Sequence, residues 1–223
     1  MINKMTKQPI SRKDFVKGVA TTVGGVAVLG GLGSLLTACS PTEAPSANVV
    51  GTEKPEWPFP YINLDPDKVA KRAYEGYYTG KGCGYGVYQG IIGELAELEG
   101  YPYNQIPTES MAVAAGGYAG LGTLCGALGG AAVAIGVVTD SDTGKKVVAE
   151  LWNWYKDFPF PAYEGDKSEL PTTLAGSVQC IDSVGNFMAV QGCAYTDPER
   201  KERCGRLTAD VAKKVVEILN SLA

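Results

Sequence analysis

The chain has 223 residues, 45% of them hydrophobic and 20% charged, with a formal net charge of −4. That length suits one domain of about 165 residues behind an export segment, enough to bury a real core. Its acidic balance excludes binding to nucleic acid, and six cysteines with no histidine exclude imidazole as proton shuttle, zinc ligand or proximal haem ligand.

The N-terminus differs from the rest. Five basic residues (Lys4, Lys7, Arg12, Lys13, Lys17) and one acid (Asp14) fall within the first 39 positions, so the remainder is more acidic than the whole. With no basic stripe, attachment to anionic lipid headgroups would have to be covalent rather than electrostatic. Ser11-Arg12-Lys13-Asp14-Phe15-Val16-Lys17 followed by the apolar run Gly18 to Leu36 reads as a signal peptide spanning 1–39. It resembles a twin-arginine signal with Lys13 in place of the second arginine, which leaves the Tat and Sec routes both open.

Leu36-Thr37-Ala38-Cys39 resembles a bacterial lipobox. It implies lipidation at Cys39 and an exported protein anchored to the cell membrane on its periplasmic or extracytoplasmic face. A plain transmembrane anchor is the alternative, because the apolar run approaches the ~20 residues that span a bilayer. Residues 40–56, rich in Pro, Ser, Thr and Ala, read as a flexible tether to a helical domain over 57–223.

Trp57-Pro58-Phe59-Pro60-Tyr61 cannot be helical and reads as an aromatic arm over the core. Asp65-Pro66 supplies an N-cap and first-turn proline for a helix to about Tyr78, broken by Gly80-Lys81-Gly82. A second helix runs from Cys83 to Glu99 with Val87, Ile91, Leu95 and Leu98 on one stripe. Ser110 to Gly117 reads as a short helix. From Cys125 to Val138 the chain is apolar around its circumference, which predicts a buried central helix rich in Gly and Ala.

Thr139 to Asp142 cap an amphipathic helix to Phe158, with Val147, Leu151, Trp154 and Tyr155 inward. Phe158-Pro159-Phe160-Pro161 and the acidic stretch to Pro171 read as loop. A further apolar segment covers Ser177 to Val190. Asp197-Pro198 opens the last helix, its inward face carrying Leu207, Val211, Val215, Ile218 and Leu222. With no strand-period alternation and no internal repeat, the expected fold is all-α, a compact helical bundle.

The chemistry rests on Cys83, Cys125, Cys180, Cys193 and Cys204. A thiol at a helix start faces free N–H groups and the positive end of the dipole, which favours thiolate at Cys83 and Cys125. Inert buried thiols and a disulfide framework are the competing readings, although five is an odd number to pair. There is no Cys-x-x-Cys, hence neither a thioredoxin-type motif nor a c-type haem attachment site. Exchangeable disulfides and a thiolate-bound metal or iron–sulfur site both remain open on spacing. Gly120-Leu121-Gly122 lacks the preceding strand of a dinucleotide site and reads as tight turning.

Cys125-Gly126-Ala127-Leu128-Gly129-Gly130 resembles the core of the redox-active proteins named for a C-GCAxxG-C-C pattern. Cys83 stands where that family has its early helical cysteine, and Cys180 and Cys204 resemble the two late ones; Cys193 is surplus and could substitute for Cys204. The resemblance covers roughly Asp65 to Leu222. It implies a helical protein with thiol or metal redox activity, an unidentified redox partner and, through the related split-Soret cytochrome scaffold, a homodimer. This chain departs from those cytochromes in lacking the haem attachment motif and histidine. A non-catalytic binding or accessory lipoprotein, with structural cysteines and the aromatic arm as partner surface, is the alternative; a haem-binding relative of those cytochromes is another.

Overall fold

The computed structural model describes residues 54–165 and 169–223. The expected signal peptide, Cys39 and most of the tether lie outside the described residues. What is described is mainly helical, with six α-helices and one two-stranded sheet. No helix among these residues is long and apolar enough to cross a membrane.

Helix α1 (Pro66–Gly76) starts where its cap predicts: Asp65 accepts hydrogen bonds from the N–H groups of Asp67 (2.9 Å) and Lys68 (3.3 Å). Such a cap contributes about 1 kcal/mol. The helix gives way earlier than expected, because Tyr77–Lys81 widens into a π-type turn and Gly80 takes φ 88°. Helix α2 (Gly82–Glu99) follows, its Val87, Ile91 and Leu95 wholly buried. Leu98 departs from the expected stripe and is 53% exposed in the last turn.

The stretch expected as a short helix is a 3-10 turn over Thr108–Ala114, and a coil with left-handed Tyr118 and Ala119 follows it. Gly116, Gly117, Gly120 and Gly122 also take positive φ in this coil, the tight turning expected of Gly120 and Gly122. Helix α3 (Gly126–Val138) is the central one. Leu128 and Ile135 are fully buried, about 1.5–3 kcal/mol each. Burial does not run all the way round, for Val133 is 43% exposed.

Helix α4 (Ser141–Asp157) is capped by Asp140, which accepts from Asp142 and Thr143 N–H groups. It buries Val147, Leu151 and Tyr155, with Trp154 only half-buried. The expected loop at 158–161 contains β1 (Pro159–Phe160), paired antiparallel with β2 (Thr173–Leu174). Helix α5 (Cys180–Gln191) begins at the cysteine rather than at Ser177.

Helix α6 (Pro198–Asn220) packs on α1, α2 and α3 and buries Leu207, Val211, Val215 and Ile218. Leu222 lies past its end, 55% exposed, contrary to expectation. The aromatic arm does lie over the core. The Phe59 N–H donates to the Val137 carbonyl (2.9 Å) and Trp57 Nε1 donates to the Gly136 carbonyl (2.8 Å), fixing the arm to the end of α3.

Candidate redox site

The site begins with the way two distant segments are laced together. Leu124 and Gln179 form an isolated antiparallel bridge, the Cys125 N–H donates to the Val178 carbonyl (2.9 Å), and the Cys180 N–H donates to the Thr123 carbonyl (2.6 Å). The starts of α3 and α5 are therefore held side by side. Cys125 is the N-cap of α3, with extended ψ of 127°, and Cys180 is the first residue of α5. Cys83 is the second residue of α2. Three thiols thus stand at three helix N-terminal ends, where N–H groups without intrahelical partners favour negative charge.

The glycines of the Cys125 segment permit this approach. A Cβ on Gly126 would stand 2.3 Å from the Ala114 carbonyl oxygen and 2.7 Å from the Cys83 sulfur. Helix α3 can seat its first turn beside Cys83 only because Gly126 has no side chain.

Cys83, Cys125 and Cys180 are all buried, and none of the five described cysteines is in a disulfide. The Cys83 thiol donates a hydrogen bond to Cys125, which holds the Cys125 thiol well below its ordinary range. Burial opposes this shift; the Tyr155 hydroxyl and the N–H groups of Ala127 and Leu128 reinforce it. These N–H groups face the sulfur without meeting ordinary capping hydrogen-bond geometry, so their effect is mainly that of aligned dipoles. Cys83 moves the other way: donating to Cys125 raises it, as do burial and the neighbouring Cys125, Cys180 and Cys204. Cys125 is therefore the thiolate of the pair and Cys83 its proton donor.

Burial raises Cys180, as do Cys125 and Cys204, while Arg203 and Arg200 act in the opposite sense. Cys204, one turn beyond Arg200 on α6, is half-buried and packs with Cys180, Ile181 and Val184. Cys83, Cys125, Cys180 and Cys204 thus act on one another electrostatically. Cys193 stands apart: burial raises it, and its charged neighbours are Asp197, Glu199 and Arg200, none of them a thiol. Of the two candidates for the fourth position, the fold brings Cys204 to the group and leaves Cys193 outside.

Other residues in the site were not singled out from sequence. Tyr77, Tyr118 and Tyr195 border the sulfurs, and Arg200 hydrogen-bonds Cys204 while its guanidinium stacks 4.2 Å from the Tyr195 ring centroid. Arg203, 1% exposed, donates through Nη2 to Ser183 Oγ (2.9 Å). The Arg200–Cys204 spacing of four positions on a helix was visible in the sequence; the tyrosines gave no local signal.

Among the described residues, no three Cys, Asp or Glu side chains are gathered closely enough to hold a metal ion as they stand. The donors nevertheless suit iron in kind, being soft sulfurs beside two buried guanidinium groups that offset thiolate charge.

Residues 87–218 match the family model described as "Putative redox-active protein (C_GCAxxG_C_C)"; Cys83 falls just before the matched segment. The chain is also 35% identical over 219 residues to the split-Soret cytochrome c of Desulfovibrio desulfuricans, covering 95% of this chain and 78% of that protein. A solved structure described as "A novel iron centre in the split-Soret cytochrome c from Desulfovibrio desulfuricans ATCC 27774" superposes with a TM-score of 0.70 and 39% identity. That match covers 73% of this chain and 70% of that one. Together these relationships support a redox or metal-binding role.

Proposed function

The chain belongs to the C-GCAxxG-C-C family, and from that membership we propose that it is an electron-transfer protein whose centre is iron held by Cys83, Cys125, Cys180 and Cys204. The observation that carries this reading is the meeting of three helix N-terminal ends, each bearing a thiol, beside Cys204 and two buried arginines. Bound there as an iron–sulfur or mononuclear thiolate site, the metal would supply one-electron chemistry.

The chain's own residues prepare for that role. Cys125 is deprotonated most readily, as a ligand must be. Burial of Cys83, Cys125 and Cys180 keeps water from the sulfurs, while Cys204, half-buried, leaves one side nearer to solvent and to a redox partner. The relative's name includes a haem protein, but haem of the c type does not transfer to this chain, which has neither Cys-x-x-Cys nor any histidine.

A second reading is favoured by the Cys83–Cys125 hydrogen bond. A thiolate beside a thiol is the reduced form of an exchangeable disulfide; the Cys83–Cys125 bond would form as the pair gives up two electrons and the Cys83 proton to an external disulfide, which is reduced to a thiol and a thiolate. Anaerobic purification followed by iron analysis and thiol counting separates the two. Iron bound in proportion to the chain, lost in Cys125→Ser, supports the first; an iron-free protein with a reversible Cys83–Cys125 disulfide replaces it with the second.

The lipobox and basic N-terminus support export and anchoring through Cys39, with a homodimer as the assembly to test. Incorporation of labelled lipid that disappears in Cys39→Ala is the expected result, and a soluble, unlabelled wild-type chain overturns it.

A further inference from the structure

Gly129 is bare for a reason unlike that of Gly126. A Cβ there would stand 2.1 Å from the Tyr118 hydroxyl oxygen, 2.9 Å from its Cζ and 3.0 Å from its Cε2. The phenol therefore lies against the first turn of α3, in the space a side chain would fill. Gly129 is one turn from Cys125, whose carbonyl accepts its N–H at 3.0 Å, and residues four apart share a helix face. The Cys83 and Cys125 sulfurs both act on the Tyr118 hydroxyl electrostatically.

The backbone is unfavourable where it delivers this ring. Tyr118 and Ala119 take φ of 56° and 51°, the left-handed region that residues with a Cβ seldom adopt. Backbone hydrogen bonds hold them there: the Tyr118 N–H donates to the Ala114 carbonyl (3.2 Å), Ala119 to Val113 (2.9 Å), and Leu121 to Tyr118 (3.0 Å). Strain of this kind persists only where its surroundings over-determine it, and it gathers at functional sites. The Tyr118 side chain is half-buried and packs against the core cluster that contains Cys83 and Cys125. Among the described residues its hydroxyl donates no hydrogen bond, so the fold makes no use of it.

We propose that Tyr118 is a catalytic residue of thiol–disulfide exchange at the Cys83–Cys125 pair: its ring yields to an entering small disulfide, and its hydroxyl donates a hydrogen bond to the sulfur that departs. The inference rests on the exchangeable-disulfide reading above and deepens it. The coil backbone is pinned, whereas the ring can turn about its own side-chain bonds without breaking any of those hydrogen bonds.

In the exchange, the Cys125 thiolate attacks one sulfur of the external disulfide. A Cys125–sulfur bond forms, the external S–S bond breaks, and the second sulfur leaves as a thiolate. Cys83 then attacks the Cys125 sulfur, closes the Cys83–Cys125 bond and expels the first external sulfur, which takes the Cys83 proton. Two electrons pass from the pair to the external disulfide, which ends as one thiol and one thiolate. Tyr118 keeps its own proton, because burial and the two sulfurs raise its hydroxyl above the ordinary range. It acts through its dipole on charge that grows as a sulfur departs, and a better-stabilised leaving thiolate leaves faster.

The experiment uses the full chain purified anaerobically, as wild type, Tyr118→Phe and Tyr118→Ala. Two rates are read by mass spectrometry: formation of the Cys83–Cys125 disulfide with glutathione disulfide, and alkylation of Cys125 by iodoacetamide. Both need an accessible Cys125 thiolate, but only the first expels a sulfur. Their ratio therefore cancels access and thiolate content. Tyr118→Phe is expected to lower the ratio roughly tenfold. Tyr118→Ala should lower it as far while alkylation itself quickens, because the ring that covers the pair is gone.

A Tyr118→Phe ratio equal to wild type overturns the role of Tyr118 and leaves the exchangeable pair standing; a purely structural residue gives that result. Should Tyr118→Phe fail to fold, the ratio in Tyr118→Ala decides in the same way. A wild type that forms no Cys83–Cys125 disulfide with glutathione disulfide overturns the exchange reading, and the inference with it.

Discussion

The carbonyl oxygen of Gly84 occupies the place where a side chain on Gly130 would begin, 2.2 Å from the ideal Cβ position. This one contact explains the last glycine of the Cys125-Gly126-Ala127-Leu128-Gly129-Gly130 run. Helix α3 lies against α2 backbone to backbone, and the residue next to Gly84 is Cys83. The same closeness that packs the helices sets the separation of two sulfurs.

Gly130→Ala should therefore push α2 and α3 apart. Overpacking of this kind costs about 1–3 kcal/mol, and here the obstacle is backbone, which cannot rotate away. The expected outcome is a lower Tm and, on the proposed iron reading, reduced iron per chain. A variant with unchanged Tm and iron content would show that the helices separate freely and that the glycine has no part in placing Cys83.

The two late cysteines give a sharper comparison. Cys204 lies within the group of mutually interacting thiols, whereas Cys193 faces Asp197 and Glu199. On the proposed iron reading, Cys193→Ser is expected to keep the wild-type iron content, whereas Cys204→Ser, which removes a ligand sulfur, is expected to lower it. Serine preserves size, so equal effects of the two substitutions would remove Cys204 from the site.

Much of the helical frame was legible because its signals are local. Asp65-Pro66 and Asp140 act within four residues of themselves, and the structure finds both as caps. The glycine-rich Cys125 segment announced a close helix contact because few other sequences permit one. The convergence of thiols was carried by the family pattern, since the bridge between Leu124 and Gln179 that joins them leaves no trace in either segment alone. Arg203 gave no sign of burial in its own segment; Ser183 on another helix and the Asp210 carboxylate two turns along give its burial a reason. Leu98, in a last turn, and Leu222, past a helix end, erred the other way, keeping helical spacing where the chain leaves them exposed.

Asp210 adds a pH dependence with a defined sign. Burial pushes its carboxyl up to about 6, although the N–H groups of Ala162 (2.9 Å) and Tyr163 (2.7 Å), with Arg203 and Lys213, hold it lower than burial alone would. The folded chain then binds the Asp210 proton more tightly than the unfolded chain, whose carboxyl titrates near 3.9. The resulting stabilisation is complete below that value and is lost as pH rises through about 6. Its size is on the order of 2–3 kcal/mol at most. Denaturation of wild type and Asp210→Asn between pH 4 and 7 should give a difference that moves against the wild type as pH rises; a constant difference would contradict the assignment.

Asn220, at the end of α6, ties down the entry of the chain into the domain. Its Oδ1 accepts from the Tyr61 hydroxyl (2.7 Å) and the Leu64 N–H (3.2 Å), and its Nδ2 donates to the Leu64 carbonyl (2.8 Å). The last turn of the last helix thus fastens the segment that leads from the aromatic arm into α1. Asn220→Ala removes all three bonds and leaves the Leu64 backbone, on a nearly buried residue, without partners, a cost of about 1–3 kcal/mol. The arm retains its hold on α3 through Phe59 and Trp57, so the loss should appear as faster proteolysis between Tyr61 and Asp65 rather than as global unfolding. Cleavage at the wild-type rate would mean that the α3 contacts alone hold the arm.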